Sequence, residues 1–329
     1  MKNQAPTISL IIPVHNGGEK FKQCLASVRQ ADPAPLETIV VVDGGSDSSQ
    51  YFAEASGAKV LVTPVASGPA HARNLGARAA TGDLLFFIDA DVAIASDAIK
   101  QIAAAFQQAS GLAALIGSYD DAPAENNFLS QYRNLFHHYV HQTGNEEAST
   151  FWGACGAVRR EIFLNAGGFD EKYRQPCIED IELGYRLKRA GHRIRLLKTL
   201  QVKHLKRWEF FSMLKTDFFQ RALPWTELIL RERELVNDLN LKASNRLSIA
   251  SVYGLLGASA ISFRWPALAG IVALFIALLL ALNAPVYRFF WRQRGFWFVL
   301  QTIPCHWLYY LYSGLAFMVG IMRYSFKKS

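Results

Sequence analysis

Residues 84–91 read Leu-Leu-Phe-Phe-Ile-Asp-Ala-Asp, and this stretch decides the fold class. Five consecutive apolar residues without alternation are typical of a strand that is buried on both faces of a parallel sheet. Asp89 and Asp91 follow at once, with Ala90 between them, and two carboxylates at a strand end can bind a hard divalent cation. A solvated turn whose acids cap the next helix is the alternative interpretation of this pair.

On both sides of this stretch, short apolar runs alternate with segments of helical periodicity. The predicted strands span residues 8–14, 37–42, 59–62, 84–88 and 194–202. The predicted helices span residues 21–29, 51–56, 70–81, 97–109, 126–141 and 178–190. Residues 153–158 carry small side chains and are expected to be flexible. The alternation of strands and helices predicts an open α/β sheet.

Polar side chains follow three of the predicted strands. Asn16, Asp43 and Asp89 each come just after a strand. Ligands of open α/β sheets bind at the carboxyl ends of the strands, so we expect these three residues to meet in one crevice. No glycine pattern GxGxxG follows the first strand, which argues against a dinucleotide cofactor.

The 329 residues differ in character along the chain, because the charged residues lie mostly before about residue 246 and the remainder is strongly apolar. We expect an amphipathic, interfacial segment at residues 210–246 and an α-helical membrane region at residues 247–329. The apolar runs of this region are residues 247–263, 266–286 and 297–322, and about 20 residues span a bilayer. The third run fits one long span, or an interfacial helix up to Pro304 followed by a span.

Basic residues flank the apolar runs and contribute to the formal net charge of +8. They form three clusters: Lys203, Lys206 and Arg207; Arg288, Arg292 and Arg294; and Arg323, Lys327 and Lys328. Juxtamembrane basic residues attract anionic headgroups, which favours a lipid bilayer over nucleic acid as the partner. The four cysteines lack paired spacing and the N-terminus lacks a secretory pattern. We therefore expect a multi-pass protein of the cell membrane whose α/β domain, residues 1–209, faces the cytoplasm.

Six segments carry a resemblance to a known family. They are IIPVHN at 11–16, VVDGGSD at 41–47, GPAHARNLGA at 68–77, ATGDLLFFIDAD at 80–91, GGFDE at 167–171 and EDIELGYRL at 179–187. In this order, over residues 8–208, the chain resembles family 2 of the glycosyltransferases, which have the GT-A fold, a Rossmann-like fold of nucleotide-diphospho-sugar transferases. The resemblance implies an inverting transfer from a nucleotide-sugar, with a UDP-sugar as the expected donor and Mn²⁺ or Mg²⁺ as the cofactor.

The resemblance also implies roles for the matched positions. The residues expected to contact the nucleotide-sugar are Pro13, Val14, Asn16, Asp43, Arg73, Asp89 and Ala90. Among them, Asp43 would accept a hydrogen bond from the base, and Arg73 would lie near the phosphates. The expected metal ligands are Asp89, Asp91 and His204. His204 is equally compatible with a surface histidine in a basic stretch.

Asp180, beside Glu179, would be the general base, because a single displacement needs a carboxylate that removes the acceptor proton. Two acids at a helix start are also favoured by the helix dipole alone. Three residues are candidates for the acceptor side: Trp152, Gln220 and Trp225. Trp152 fits a platform that stacks on a sugar, and equally a packed loop.

Two departures from the family pattern narrow the function. Gly44 stands in place of the second acid of the usual V-D-D-G-S, which weakens the assignment of the nucleotide base of the donor. Gln-Arg-Ala-Leu-Pro-Trp at residues 220–225 stands in place of the Q-x-x-R-W of processive relatives, which disfavours polymer synthesis.

The expected acceptor is therefore a hydroxyl of a membrane lipid or a lipid-linked saccharide. A polyprenyl phosphate acceptor and a non-catalytic scaffold for glycan assembly are the alternatives. A nucleotidyltransferase is disfavoured, because the N-terminal region has no glycine-rich basic signature.

Overall fold

The computed structural model describes residues 5–233 and 237–328. The chain divides into two compact units, Met1–Trp208 and Glu209–Ser329. The first unit combines strands with helices, whereas every element described in the second unit is helical.

The first unit is built on one eight-stranded sheet with the strand order β3-β2-β1-β4-β7-β6-β8-β5. Its strands are β1 Ile8–Val14, β2 Glu37–Asp43, β3 Lys59–Thr63, β4 Leu84–Ile88, β5 Val92–Ile94, β6 Leu112–Tyr119, β7 Cys155–Arg159 and β8 Arg193–His204. Neighbouring strands among β1 to β4 are parallel, and β6 is parallel to β8. In contrast, β7 is antiparallel to β4 and β6, and β5 is antiparallel to β8. The predicted open α/β sheet is confirmed, with mixed strand directions.

Helices cover both faces of the sheet and form two separate hydrophobic cores. They are α1 Gly18–Arg29, α2 Ser49–Ala55, α3 Pro69–Ala79, α4 Ala98–Gln108, α5 Phe128–Gln142, α6 Arg160–Asn165 and α7 Glu179–Arg189. Successive residues of β4 enter different cores: Phe86 packs with residues of α1 and α4, and Phe87 with residues of α3 and α7. Side chains alternate along a strand, so a strand covered on both faces needs an unbroken apolar run.

Two inner strands, β6 and β7, are absent from the sequence prediction. The expectation of a flexible segment at residues 153–158 is wrong, because β7 is a buried inner strand between β4 and β6. Its small side chains serve close packing instead of mobility. A Cβ on Gly156 would lie 2.4 Å from the carbonyl oxygen of Trp152, and a Cβ on Gly117 would lie 2.6 Å from Sγ of Cys155.

The second unit is a chain of helices and short helical turns. Its elements are α8 Phe210–Lys215, a π-helical segment Thr216–Ala222, α9 Leu223–Glu232, a 3₁₀ turn Leu239–Leu241, α10 Ala243–Arg264, a 3₁₀ turn Pro266–Leu268, α11 Ala269–Leu282, α12 Ala284–Arg294 and α13 Phe296–Lys328. The predicted interfacial segment at residues 210–246 includes residues 234–236, which lie outside the described residues.

Fewer helices of the second unit meet the requirements of a membrane span than the sequence suggested. Among the described residues, α10 alone is long and apolar enough by itself. The segments Pro266–Leu282 and Ala284–Arg294 meet the requirements only together, and they are bent by 62°. The expected third span at residues 297–322 lies within α13, which does not meet them.

Instead, α13 carries polar contacts to the amphipathic helices of its own unit. The hydroxyl of Tyr312 donates a hydrogen bond to the buried carboxylate of Asp217 at 2.6 Å. Arg323 lies 3.5 Å from Glu227. The apolar composition of α13 is therefore combined with contacts to acidic side chains.

Candidate active site

A buried arginine joins two acidic segments of the first unit. Arg73, on α3, donates a hydrogen bond to Asp89 after β4 at 2.6 Å and to Glu179 at the start of α7 at 2.8 Å. Its side chain is only 6% exposed. Burial alone would lower the pKa of Arg73, but the carboxylates of Asp89, Glu179 and Asp180 raise it above its ordinary value. The guanidinium therefore holds the acids of two distant segments together, and its two described partners are carboxylates.

The candidate base, Asp180, is held by backbone groups. Its carboxylate accepts hydrogen bonds from the N–H of Gly153 at 2.9 Å and from its neighbour Ile181 at 2.8 Å. Burial and the negative charge of Glu179 raise the pKa of Asp180 to about 6, although both N–H groups and Arg73 act in the opposite direction. A carboxylate with this pKa is a stronger base than an ordinary aspartate and is still ionised at neutral pH.

The candidate metal ligands Asp91 and His204 lie close together. Nε2 of His204 is 3.7 Å from Oδ2 of Asp91, and the strand β5 that follows Asp91 pairs with the end of β8. Burial raises the pKa of Asp91, but the nearby His204, with Lys206 and Lys20, outweighs burial and lowers it below its ordinary value.

Asp89 differs from Asp91, because its Oδ1 is engaged by Arg73. Within the described part of the chain, no group of three or more His, Cys, Asp or Glu side chains is arranged as a complete metal cluster. The carboxylate and imidazole of Asp91 and His204 are suitable donors for Mn²⁺. The residues present therefore fit a metal that takes its remaining ligands from a bound substrate or water.

The candidate base-recognition residue Asp43 is buried at the end of β2. Its carboxylate accepts hydrogen bonds from the hydroxyl of Thr63 at 2.8 Å and from the N–H groups of Ser67 at 2.9 Å and Gly68 at 2.7 Å. These bonds hold the loop that leads into α3. The contact of Asp43 with a nucleotide base remains a prediction.

Gly44, the departure from the family pattern, has a φ of +66°, which favours glycine. A Cβ at this position would lie 2.7 Å from the backbone nitrogen of Ala66. The loop after β3 therefore approaches the chain at Gly44 more closely than a side chain would permit.

The first strand ends in a polar turn. Asn16 has a φ of +51° and accepts a hydrogen bond from the N–H of Ser46 at 2.9 Å. His15 bonds the carbonyl of Asp43 through Nδ1 at 2.8 Å. Pro13 is partly exposed and Val14 is buried. The turns after β1 and β2 are thus bonded to each other, which places Asn16 and Asp43 in the same region.

Aromatic and histidine rings flank the candidate ligands. Tyr119, at the end of β6, stacks on His204 with ring centroids 4.4 Å apart and an interplanar angle of 9°. Trp152 lies 4.9 Å from Tyr119 and 4.7 Å from His137, between centroids. Trp152 directly precedes Gly153, which holds Asp180. The rings therefore connect the segment of the candidate base with that of the candidate metal ligand.

Sequence reasoning missed Tyr119 and His137 as members of this cluster. Tyr119 ends a strand that was not predicted, and His137 lies in the helix predicted at residues 126–141, whose richness in aromatic residues was the available signal. Gln220 and Trp225 belong to the second unit, where both are partly buried. Their roles remain predictions.

Comparisons with known proteins bear on the sequence and the fold of the first unit. Residues 9–166 match the sequence model of the family described as Glycosyl transferase family 2. The "Uncharacterized glycosyltransferase YibD" of Escherichia coli is 36% identical over 95 residues, which cover 28% of this chain and 28% of that protein. The "Pre-mycofactocin glycosyltransferase" of Mycobacterium tuberculosis is 29% identical over 209 residues, which cover 60% of this chain and 42% of that protein. These matches span between 28% and 42% of the relatives' own lengths.

Solved structures show the same fold at low sequence identity. The mannosyltransferase PcManGT from Pyrobaculum calidifontis, solved with GDP-Man and Mn²⁺, has a TM-score of 0.59 at 17% identity and covers 96% of this chain and 88% of its own. Residues 1–349 of TarS from S. aureus, solved with UDP-GlcNAc, have a TM-score of 0.53 at 18% identity and cover 69% and 66%. The expected GT-A fold is confirmed. The match to the family 2 model lies within the first unit.

Proposed function

We propose that the chain is an inverting, metal-dependent glycosyltransferase that moves a sugar from a UDP-sugar to a hydroxyl of a membrane lipid or a lipid-linked saccharide. One observation carries the proposal. Asp180 has a raised pKa and is held by the N–H of Gly153, while Arg73 ties the adjacent Glu179 to Asp89 at the end of β4.

Asp180 supplies the base that an inverting transfer requires. Its carboxylate removes the proton from the acceptor hydroxyl while the hydroxyl oxygen attacks the anomeric carbon and the nucleoside diphosphate departs. The backbone bonds from Gly153 and Ile181 leave the carboxylate oriented, which is needed for proton transfer in a single step. Arg73 positions the acids, and its proximity to the phosphates remains a prediction.

The donor side is formed by the turns after β1, β2 and β4. Asn16 and Asp89 lie just after β1 and β4, and Asp43 is the last residue of β2. Pro13, Val14 and Ala90 lie beside them in the sequence. Asp91 and His204 would hold Mn²⁺ or Mg²⁺, and the bound ion would neutralise the charge of the diphosphate leaving group. Neighbours with this fold were solved with GDP-Man and with UDP-GlcNAc, so the choice of UDP needs a direct comparison with GDP.

We assign the acceptor side to the cluster of aromatic and histidine rings, which consists of Tyr119, His137, Trp152 and His204. Trp152 and His137 are partly exposed, and aromatic faces pack against the apolar faces of sugar rings. A saccharide-bearing acceptor fits this surface better than a bare phosphate. The apolar helix α10 supports attachment to a membrane, where a lipid-linked acceptor is found. The free cysteines favour the cytoplasmic side for the first unit.

The first experiment is isothermal titration of the detergent-purified full chain with UDP and GDP, in the presence of Mn²⁺ or Mg²⁺ and then of EDTA. Binding of UDP that is lost with EDTA supports the donor and metal assignments. Stronger binding of GDP than of UDP would show that the predicted nucleotide of the donor is wrong. The absence of binding under every condition would favour a non-catalytic scaffold.

The second experiment tests the role of Asp180 as general base separately from the binding of the donor. Asp180→Asn should keep UDP binding but reduce transfer from a labelled UDP-sugar to a lipid extract by about 10²- to 10⁴-fold. Asp97→Asn, which changes an exposed carboxylate before α4, is the matched control and should transfer normally. Sugar transfer by Asp180→Asn at the rate of the control variant would reject the assignment of Asp180 as the general base. A polyprenyl phosphate, which is already ionised, would then be the better acceptor.

A further inference from the structure

The positive charge of the chain is concentrated in its apolar end. The sequence has 35 Lys and Arg and 27 Asp and Glu residues, and nine of the basic residues but none of the acidic ones follow Asp238. Residues 1–238 therefore carry 26 basic and 27 acidic residues, a formal charge of −1, and residues 239–329 carry +9. The region with the membrane-compatible helix is thus the cationic part of the chain.

Within this region, the helices α11 and α12 meet at a bend that is fixed by side chains. Asn283 lies between them and is 5% exposed. Its Nδ2 donates to the hydroxyl of Ser248 at 3.1 Å and to the carbonyl of Leu279 at 2.9 Å. Its Oδ1 accepts a hydrogen bond from the hydroxyl of Tyr310 at 2.7 Å. Residues of α10, α11 and α13 therefore hold the bend of 62° in place.

The helix after the bend, α12, has two distinct faces. Val286, Tyr287 and Phe290 are buried. Arg288 and Arg292 are exposed on the other side, and Trp291 between them is 60% exposed. The exposed face thus combines guanidinium groups with a large aromatic ring.

The connection after α12 extends this surface. Arg294 ends α12 and is exposed. Gly295 has a φ of +82°, and Trp297 at the start of α13 is 76% exposed. Trp is enriched at the level of lipid headgroups, and Arg binds phosphate groups bidentately.

We propose that α12 lies in the plane of the membrane interface and binds anionic phospholipid headgroups through Arg288, Arg292 and Arg294. The bend at Asn283 turns α12 away from the direction of α11, and Trp291 and Trp297 enter the headgroup layer beside the arginines. Charge complementarity selects an anionic bilayer as the partner, because the surface is cationic and aromatic. An amphipathic basic helix with exposed aromatic residues is typical of such interfaces.

The test is energy transfer from the tryptophans of the reconstituted full chain to a trace of dansyl lipid in phosphatidylcholine vesicles. The wild-type chain should transfer more strongly to dansyl-phosphatidylglycerol than to dansyl-phosphatidylcholine. The variant R288Q/R292Q/R294Q should lose most of this preference, because its three headgroup contacts are removed. High salt should reduce the wild-type preference towards that of the variant.

A second triple variant controls for net charge. R231Q/K242Q/R264Q removes three charges elsewhere in the same unit and should keep the preference. An equal loss in both triple variants would overturn α12 as the binding surface. The absence of a preference in the wild type would overturn the anionic lipid as partner and favour an acidic protein. The readout involves no donor or acceptor sugar, so the result is independent of the proposed function.

Discussion

The two units each contain a buried polar network, and the two networks differ in charge. In the first unit, Arg73 is bonded to the carboxylates of Asp89 and Glu179. In the second unit, Asn283 is bonded to Ser248 and Tyr310, and all three side chains are neutral. Both networks join segments that are distant in sequence.

The difference reflects the surroundings of each network. Buried charges need close partners of opposite sign, since an ion without one is strongly destabilising. The charged network joins the end of β4 to the helices α3 and α7. The neutral network lies among apolar helices, where uncharged hydrogen bonds satisfy polar groups at a lower desolvation cost. The charged network around Arg73 thus lies in the unit of the candidate active site, and the neutral network around Asn283 lies in the unit with the membrane-compatible helix.

The largest expected effect on stability follows from removing the positive charge of Arg73. Arg73→Leu leaves Glu179 and Asp89 without their cation and should lower the free energy of unfolding of the first unit by about 3–5 kcal/mol. Urea unfolding of the full chain in detergent, followed by tryptophan fluorescence, measures this loss. Arg78→Leu on the same helix is the control, because Arg78 is 52% exposed and 3.7 Å from Glu171.

If Arg73→Leu fails to fold, Arg73→Lys provides a milder variant that keeps one positive charge, and it should be less stable than both the wild type and Arg78→Leu. Unfolding of both Arg73 variants at the same urea concentration as Arg78→Leu would contradict the role of Arg73 as the centre of the network.

The second effect is a pH dependence that only the charged network should show. Asp180 must be ionised to accept a proton, and its pKa is raised to about 6. The ratio kcat/KM should therefore fall about tenfold per pH unit below that pKa and be constant above it. The profile of Asp180→Asn should lack this limb. A wild-type profile that stays flat through pH ~6 would contradict the raised pKa.

The sequence predicted the charged network better than the neutral one for a physical reason. Strand ends are visible as apolar runs that stop at an acid, so Asp43 and Asp89 were placed correctly at the ends of β2 and β4. Their partners were not predicted, because Asp89 meets Arg73 across 16 positions and Asp43 meets Thr63 across 20 positions of the chain. Local patterns fix where a side chain emerges from the sheet but not which side chain it meets.

Strands with small residues were missed for a related reason. The run at residues 153–158 contains two glycines and two alanines, which suggested flexibility, yet Gly156 is small because Phe151 and Trp152 pack against it. The bend at Asn283 was missed because the apolar run at residues 266–286 continues through it. Pro285 at the start of α12 is a local signal of this break. The bonds from α10 and α13 that hold the bend are not revealed by local periodicity.

A smaller effect is expected where the charged network meets the backbone. A Cβ on Gly153 would lie 3.1 Å from Cζ of Arg73. Gly153→Ala should therefore overpack the site, lower stability by about 2 kcal/mol and reduce transfer more than UDP binding, because the N–H of Gly153 holds Asp180.

Gly111→Ala is the matched control for this variant, because a Cβ there meets no atom within 4 Å. Equal stability and equal transfer rates in the two alanine variants would show that the backbone of Gly153 tolerates displacement.

The smallest effect tests the neutral network. Tyr310→Phe removes the hydroxyl that donates to Asn283, so the free energy of unfolding of the second unit should fall by about 1 kcal/mol, the usual value of a neutral hydrogen bond. Tyr51→Phe, at a side chain that is 68% exposed, is the control and should have no effect. Combining Tyr310→Phe with Asn283→Ala should cost less than the two changes do separately, because both remove the same bond. Strict additivity in denaturation measurements would mean that Tyr310 and Asn283 act independently. The contrast between a charged network in the first unit and a neutral network that holds a bend in the second unit would then no longer be valid.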